Sequence, residues 1–129
     1  MTSNNLVSKN VAIILKEKNF TEKTYWYYTI YGDEVSNYGY DFNHNEFDSE
    51  YSAPSLQHVH RWIKNKHHIF IAVVPCEIRI GFQMLSYNIY NITKTSFEPI
   101  YQYCPYKEGK IEFEDVMNDA VKYVVENIL

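Results

Sequence analysis

Apolar residues recur three or four positions apart in three stretches of the chain, which is the spacing of one helical face. The first stretch predicts a helix over 4–18. The second predicts a helix that begins at Pro54, whose missing N–H needs no partner in a first turn, and that ends near His67. The third follows Gly109 and predicts a final helix. In chain order, the apolar positions are Leu6, Val7, Val11, Ile14, Leu15, then Leu56, Val59, Trp62, Ile63, then Phe113, Val116, Met117, Ala120, Val124 and Ile128.

Four other stretches have the composition or the alternation of β-strands. Residues 24–31 are rich in aromatic and β-branched side chains and stop at a Gly-Asp turn. Residues 69–74 and 78–90 are apolar or alternating, and their closeness in the chain predicts a hairpin that turns at 76–77. A further short strand is predicted over 100–104.

The segment between the first strand and the second helix has a different pattern. Residues 34–52 mix Asn, Asp, Ser, Gly and Tyr without a sustained apolar period, which predicts a long irregular connection with one short strand near 38–42. The order of all elements predicts an α+β fold, in which a small antiparallel sheet of about three to four strands packs against about three helices. Its 129 residues, 46% hydrophobic and 22% charged, predict a single domain over 1–129.

Charge is unevenly distributed along the chain, although the net charge is only −4. Six acidic residues and no Lys or Arg lie within 33–50. By contrast, 51–76 contains Arg61, Lys64, Lys66 and four His without one acid. The total charge gives no general field that attracts phosphate backbones, but the basic segment allows a local patch, and the two segments can attract each other.

The sequence also bears on compartment and membranes. The first ten residues contain no apolar run of signal-peptide length, and no stretch approaches the roughly 20 apolar residues that span a bilayer. Cys76 and Cys104 are isolated and lack the spacing of a zinc or redox site. We therefore expect a cytoplasmic protein with reduced thiols and no membrane association.

No motif for catalysis or metal binding stands out. A serine nucleophile elbow and a Gly-rich phosphate loop are both missing from a chain with only four Gly. A helical zinc pair needs ligands four residues apart, but the positions four after His58 and His60 hold Trp and Lys. The sequence therefore predicts no catalytic residue, no metal ligand and no cofactor. The histidines considered as metal ligands are His44, His58, His60, His67 and His68.

The surplus of aromatic residues is the feature that best indicates a function. The chain has 13 Tyr and is 17% aromatic, and Tyr and Trp anchor protein interfaces because each combines a large ring with a polar group. We therefore predict a small non-enzymatic accessory protein that contacts another protein or a second copy of itself. The predicted binding surface comprises Tyr25, Trp26, Tyr27, Tyr31, Arg61 and Lys64.

Two alternatives remain open from the residues alone. A Tyr-rich sheet face can stack bases while Arg61 and Lys64 contact phosphates, which would make the protein a nucleic-acid-binding protein. A small enzyme is the second alternative, because catalytic residues can come together from distant positions.

Three stretches carry a family resemblance. Residues 15–20 read L-K-E-K-N-F, close to L-K-E-K-G-F, and 113–121 read F-E-D-V-M-N-D-A-V, similar to Y-E-E-A-L-E-A-G-L. Residues 53–56 and 61–69 resemble A-P-T followed by K-W-L-R-E-K-H-x-I. These motifs resemble those of a group of small uncharacterised proteins encoded by phages and other mobile elements of anaerobic gut bacteria. The resemblance implies such an origin and no assigned activity, and this chain departs from the group at Asn19, where the group has Gly.

Overall fold

The computed structural model describes residues 5–79, 82–92, 97–103 and 113–129. The described chain contains helices and antiparallel strands, so the predicted α+β fold class is confirmed. The helices are α1 (Lys9–Glu17), α2 (Leu56–His67) and α3 (Phe113–Asn127), with a short 3₁₀ helix over His44–Glu46. The strands are β1 (Thr24–Thr29), β2 (Val35–Phe42), β3 (Glu50–Ser52), β4 (Ile69–Arg79), β5 (Phe82–Ile92) and β6 (Phe97–Tyr103). Cys104 and the side chain of Cys76 lie outside the described residues.

The chain divides into two compact units. Unit 1 comprises Met1–His58 and Val124–Leu129, and unit 2 comprises Val59–Tyr123. The dividing positions lie inside α2 and α3, so each of these helices contributes residues to both units. The single domain over 1–129 stays a prediction.

In unit 1, β1 is the central strand of a three-stranded antiparallel sheet in the order β2-β1-β3. Tyr27 pairs with Ser36 on one side and with Ser52 on the other. The β1–β2 register slips, because Trp26 pairs with Asn37 but Thr24 pairs with Phe42. The slip leaves extra residues on β2 between these pairs, and this irregular segment carries several aromatic side chains described below.

The first helix is shorter than its apolar pattern suggests. Ser8 caps α1, since its side-chain Oγ accepts a hydrogen bond from the backbone N–H of Val11 at 3.4 Å. The chain before this cap is extended, and Val7 donates to the carbonyl of Pro54 at 3.0 Å. The apolar residues before Ser8 therefore enter the core from an extended segment rather than from a helix.

The second helix begins later than predicted. Pro54 lies before the helix, and Ser55 provides the cap by accepting a hydrogen bond from the backbone N–H of His58 at 3.1 Å. The predicted helix start at Pro54 was therefore wrong by about one half-turn, because a serine that can satisfy a free N–H follows the proline. The end at His67 is confirmed.

In unit 2, the predicted hairpin is confirmed as β4 and β5, which pair antiparallel from Ile69↔Asn91 to Arg79↔Phe82. The pairing continues through Cys76↔Met84, so the chain does not turn at 76–77 as predicted. A third strand, β6, pairs with β5. The strands of the two units thus belong to two separate three-stranded sheets.

Each unit has its own set of buried apolar side chains. In unit 1, the hydroxyl of buried Tyr28 donates to the carbonyl of Val7 at 2.7 Å, so the polar end of this ring is satisfied inside the core. Buried apolar residues of unit 1 include Val7, Val11, Ala12, Leu15, Phe20 and Val124. Those of unit 2 include Val59, Trp62, Ile63, Ile71, Ile89, Val116 and Val121.

Candidate functional site

Aromatic rings of β1, β2 and the 3₁₀ segment form one connected cluster in unit 1. Tyr38 contacts the rings of Tyr27 at 5.0 Å and Tyr40 at 6.1 Å between centroids, and Phe42 stacks on Phe47 at 5.4 Å. Three of these side chains are substantially exposed: 41% for Tyr38, 61% for Tyr40 and 44% for Phe47. We call this cluster the aromatic patch, which comprises Tyr27, Tyr38, Tyr40, Phe42 and Phe47.

The irregular part of β2 carries two of the exposed rings of the patch. Gly39 has a backbone φ of 85°, a left-handed conformation that side chains disfavour, and its N–H donates to Oδ1 of Asn37 at 3.0 Å. This turn within the strand lies between Tyr38 and Tyr40. The extra residues of the register slip therefore carry the two exposed tyrosine rings.

Asn45 fixes the segment that follows. Its side-chain Nδ2 donates to the carbonyl of Phe20 at 2.7 Å, and its Oδ1 accepts from the N–H of Ser52 at 2.9 Å. One amide therefore ties the 3₁₀ helix both to the chain after α1 and to β3. Such a doubly bonded side chain limits the movement of the loop that carries Phe47.

A fully buried histidine lies beneath the exposed rings. The side chain of His44 has no exposed surface, and Tyr27 stacks on it with 4.5 Å between ring centroids. Its Nδ1 lies 2.9 Å from Oε1 of Glu50, and its Nε2 lies 3.1 Å from the carbonyl oxygen of Thr24. Both ring nitrogens are thus engaged by acceptor atoms.

The donors and acceptors around His44 determine where protons lie. A carbonyl oxygen only accepts, so Nε2 must carry the proton that it donates to Thr24. The contact between Nδ1 and the Glu50 carboxyl also needs a proton. Either Nδ1 carries it, so that an imidazolium faces a carboxylate, or Glu50 carries it, so that a neutral imidazole faces a neutral carboxyl. In either form, His44 and Glu50 satisfy each other inside the protein.

The hydroxyl of Tyr38 donates to the other carboxyl oxygen of Glu50. This hydrogen bond to Glu50, with partial desolvation and the charge of the carboxylate, raises the pKa of Tyr38. Tyr38 therefore stays a neutral hydrogen-bond donor at physiological pH. Its ring is held at the surface by a bond to the buried pair below.

Lys16 joins α1 to the same loop. Its Nζ donates to the carbonyl oxygens of Phe47 at 2.5 Å and Glu50 at 2.9 Å, and it lies 5.2 Å from the ring centroid of Tyr51. The ammonium group thus satisfies carbonyls that flank the turn before β3 and makes a cation–π contact. The patch is therefore supported by His44, Asn45 and Lys16 together.

Exposed acids adjoin residues of the patch in the sequence. Asp41 follows Tyr40 in the sequence, and Glu46 and Asp48 flank Phe47; all three are exposed. Within the part of the chain that the structure describes, none of these three carboxylates forms an ion pair. The exposed aromatic surface is therefore bordered by negative charge that no cation of the described chain neutralises.

The six residues of the predicted binding surface fall into both units. Tyr25 and Trp26 lie on β1, half-buried, with an edge-to-face ring contact at 5.2 Å. Tyr27 is part of the aromatic patch, whereas Tyr31 follows β1, is 86% exposed and shares no ring contact with the patch. The remaining two, Arg61 and Lys64, are exposed on the unit 2 part of α2. Their joint action as one surface stays a prediction.

Sequence reasoning missed most of the patch. The short strand predicted near 38–42 is confirmed as part of β2, but the predicted binding surface included none of Tyr38, Tyr40, Phe42 and His44. His44 had been considered only beside the other histidines as a metal ligand, whereas the structure engages both its nitrogens with Glu50 and Thr24. Among the described residues, no group of three His, Cys, Asp or Glu side chains could hold a metal ion.

Two histidines of unit 2 have shifted proton affinities. Burial, followed by the charge of Lys64, lowers the pKa of His60, whose Nε2 accepts a hydrogen bond from the backbone N–H of Ile71 at 3.2 Å. Burial, followed by the charges of Lys66 and His68, lowers the pKa of His67 in the same direction. Both side chains are therefore neutral in the folded protein at pH 7.

We expect the stability of the protein to fall as the pH decreases from about 7 to about 5. The unfolded chain binds protons at its histidines near pH 6.5, while folded His60 and His67 resist them, so acid favours unfolding. The free energy of unfolding in urea, measured across this range, should depend less on pH in His60→Gln, a substitution that keeps an acceptor for the Ile71 N–H. The dependence should be weaker still in the double variant His60→Gln/His67→Gln. His58→Gln, on the same helix, controls for the loss of an imidazole. An unchanged profile in the double variant would contradict the assignment.

Comparison of the chain with family models, curated proteins and solved structures found no match. No helix among the described residues combines the length and apolar character needed to cross a membrane. The functional proposal below therefore rests on the residues and geometry of this chain.

Proposed function

We propose that this protein is a non-enzymatic accessory protein that binds another protein through the aromatic patch. The observation that carries the proposal is the exposure of Tyr38, Tyr40 and Phe47 side by side on a support that is fixed from below. The phage or mobile-element context of this role rests on the sequence resemblance alone.

Contiguous exposed rings mark interaction surfaces, because soluble proteins rarely leave adjoining large apolar side chains in water. Tyr is among the residues that contribute most to protein interfaces, since its ring buries a large area and loses few rotamers on binding. The bonds that Glu50, Asn45 and Lys16 make to this segment reduce its freedom before any partner arrives. Such preorganisation lowers the entropy cost of association.

The position of His44 favours binding over acid–base catalysis at this site. A general base needs a free nitrogen within reach of a substrate proton, but both nitrogens of His44 are engaged and its side chain has no exposed surface. The network beneath the patch thus supports the surface and does not present a reactive group to it.

Nucleic-acid binding has its own supporting observation, on α2. Arg61 and Lys64 are exposed one helical turn apart, and no acid occurs within 51–76. The aromatic patch itself suits nucleic acid poorly, because Asp41, Glu46 and Asp48 at its border repel phosphates. This second candidate therefore concerns a different surface and can be tested with different variants.

The first test is capture of a partner by the tagged protein from nuclease-treated lysate of its native host, compared across variants. We expect a specific protein that the double variant Tyr40→Ser/Phe47→Ser retains at least about tenfold less, because two ring anchors of about 1 to 2 kcal/mol each are removed. Tyr31→Ser is the control, since it removes a ring that lies outside the patch and is more exposed than either Tyr40 or Phe47. Quantitative mass spectrometry of the retained proteins gives the ratio.

Equal retention by the patch variant and the wild type would contradict the proposal, and so would equal loss in Tyr31→Ser. Retention that disappears with nuclease and weakens in Arg61→Ala or Lys64→Ala would instead favour the nucleic-acid candidate. Circular dichroism of each variant establishes that the substitutions leave the fold intact.

A further inference from the structure

We propose that the segment that docks on the aromatic patch is a basic polypeptide whose Arg side chains stack on the exposed rings and pair with the neighbouring carboxylates. This inference rests on the proposed function and specifies the chemistry of the partner. It follows from the charge around the patch rather than from the rings alone.

Three exposed acids neighbour the exposed rings in the chain. Asp41 is adjacent to Tyr40, and Glu46 and Asp48 stand on either side of Phe47 in the chain. No Lys or Arg occurs anywhere within 33–50. The exposed rings and the exposed carboxylates therefore belong to one segment that carries no Lys or Arg.

Two cations of unit 1 that contact residues of 32–50 are already engaged. Lys16 donates to two backbone carbonyls and lies over Tyr51, and Lys9 donates to the carbonyl of Gly32 at 2.6 Å and pairs with Asp33 at 3.8 Å. Among the described residues, Asp41, Glu46 and Asp48 have no ion-pair partner. An incoming cation can thus pair with these three carboxylates without displacing an internal one.

Arginine fits both features of the surface at once. The planar guanidinium stacks on an aromatic face, and the N–H groups at its edge donate to a carboxylate. A phosphate group can make neither contact. The contact of Lys16 with Tyr51 shows that a cation over a tyrosine ring occurs already at the border of this site. Charge complementarity therefore selects a basic chain over an acidic or a nucleic-acid partner.

The test uses two fluorescein-labelled synthetic peptides of alternating Arg and Gly, identical except that one has citrulline in place of every Arg. Citrulline keeps the length and planar shape of the side chain but has no charge, and its ureido oxygen accepts hydrogen bonds where the guanidinium donates them. By fluorescence anisotropy with the full-length protein, we expect the Arg peptide to bind at least about tenfold more tightly than the citrulline peptide, with affinity that falls as salt increases from about 0.05 to 0.3 M.

Matched charge variants separate the patch from the general negative charge of the protein. Asp41→Asn/Glu46→Gln/Asp48→Asn should weaken binding of the Arg peptide at least about fivefold, since it removes the three unpaired carboxylates. The control makes the same change in net charge at exposed acids elsewhere and should bind as the wild type does. It consists of Glu17→Gln, Asp115→Asn and Glu126→Gln.

Equal binding of the two peptides, no binding of the Arg peptide, or equal weakening in the control triple variant would each overturn the inference. A dimer that forms with increasing protein concentration and is dispersed by Tyr40→Ser would also overturn it, since a second copy would then occupy the patch. If capture from lysate still depends on Tyr40 and Phe47 while the Arg peptide fails, the proposed function stands and only the basic partner is wrong.

Discussion

Replacement of His44 by alanine should lower the free energy of unfolding by about 3 to 5 kcal/mol. The substitution leaves the buried carboxyl of Glu50 without its hydrogen-bond partner at Oε1 and the carbonyl of Thr24 without its donor. A buried group that loses its partner pays the full cost of desolvation, since water cannot replace the lost bond. Urea unfolding followed by circular dichroism gives the change.

The protein contains its own control for this effect in the pair of His58 and Glu22. Its Nε2–Oε1 distance is 2.6 Å, shorter than the 2.9 Å of the buried pair, but its side chains are 19% and 45% exposed. Solvent screens an exposed pair, so His58→Ala should cost only about 0 to 1 kcal/mol. The longer contact should thus contribute several times more, because burial and not distance decides the energy.

A second variant tests the reason for the loss. His44→Phe/Glu50→Leu removes both members of the pair and leaves no buried charge, so it should be more stable than His44→Ala despite carrying two changes. An equal cost for His44→Ala and His58→Ala would show that the buried network contributes no more than a surface pair.

Truncation of a core side chain in unit 1 should also lower the stability of unit 2. Leu15→Ala, at a position with no exposed surface, should lower the free energy of unfolding by about 2 to 5 kcal/mol. We expect buried Trp62 of unit 2 to report the same shift, because α2 and α3 each contain residues of both units and a helix unfolds cooperatively. Fluorescence-detected urea unfolding in a Trp26→Phe background isolates the Trp62 signal.

The reciprocal experiment uses Ile89→Ala in unit 2 with Trp26 of unit 1 as the reporter, in a Trp62→Phe background. Coincident transitions from both reporters would support the single domain that the sequence predicts. If Leu15→Ala shifts only the Trp26 transition and leaves that of Trp62 unchanged, the units unfold independently and the single-domain prediction is wrong.

The elements that the sequence predicted well are those with a sustained apolar period. The stripe of Leu56, Val59, Trp62 and Ile63 identified α2 and its end at His67, because these residues face one way only in a helix. The β4–β5 hairpin was recognisable for the same reason at a period of two. The starts of α1 and α2 were missed because Ser8 and Ser55 decide them through single hydrogen bonds, which periodicity does not register.

The aromatic patch was missed because its strand has almost no buried face. Of the residues of β2, only Val35 and Phe42 are even partly buried, so the alternating aromatic residues mark an exposed face rather than a core face. The pair of His44 and Glu50 depends on the 3₁₀ turn between them, which brings residues six positions apart into contact. Residue types alone could not indicate that this histidine points inward.

The exposed acidic stretch of the patch also determines which chemical probes can detect its occupancy. Because no Lys or Arg lies between Lys23 and Arg61, trypsin releases residues 24–61 as one long peptide, and amine-reactive cross-linkers find nothing to attach to along it. A lysine-directed cross-link to a partner bound there would have to form through a lysine outside this peptide, such as Lys16. Tyrosine-directed labelling can detect the partner, since Tyr40 would be protected on binding while Tyr31, on the same peptide, serves as the internal reference.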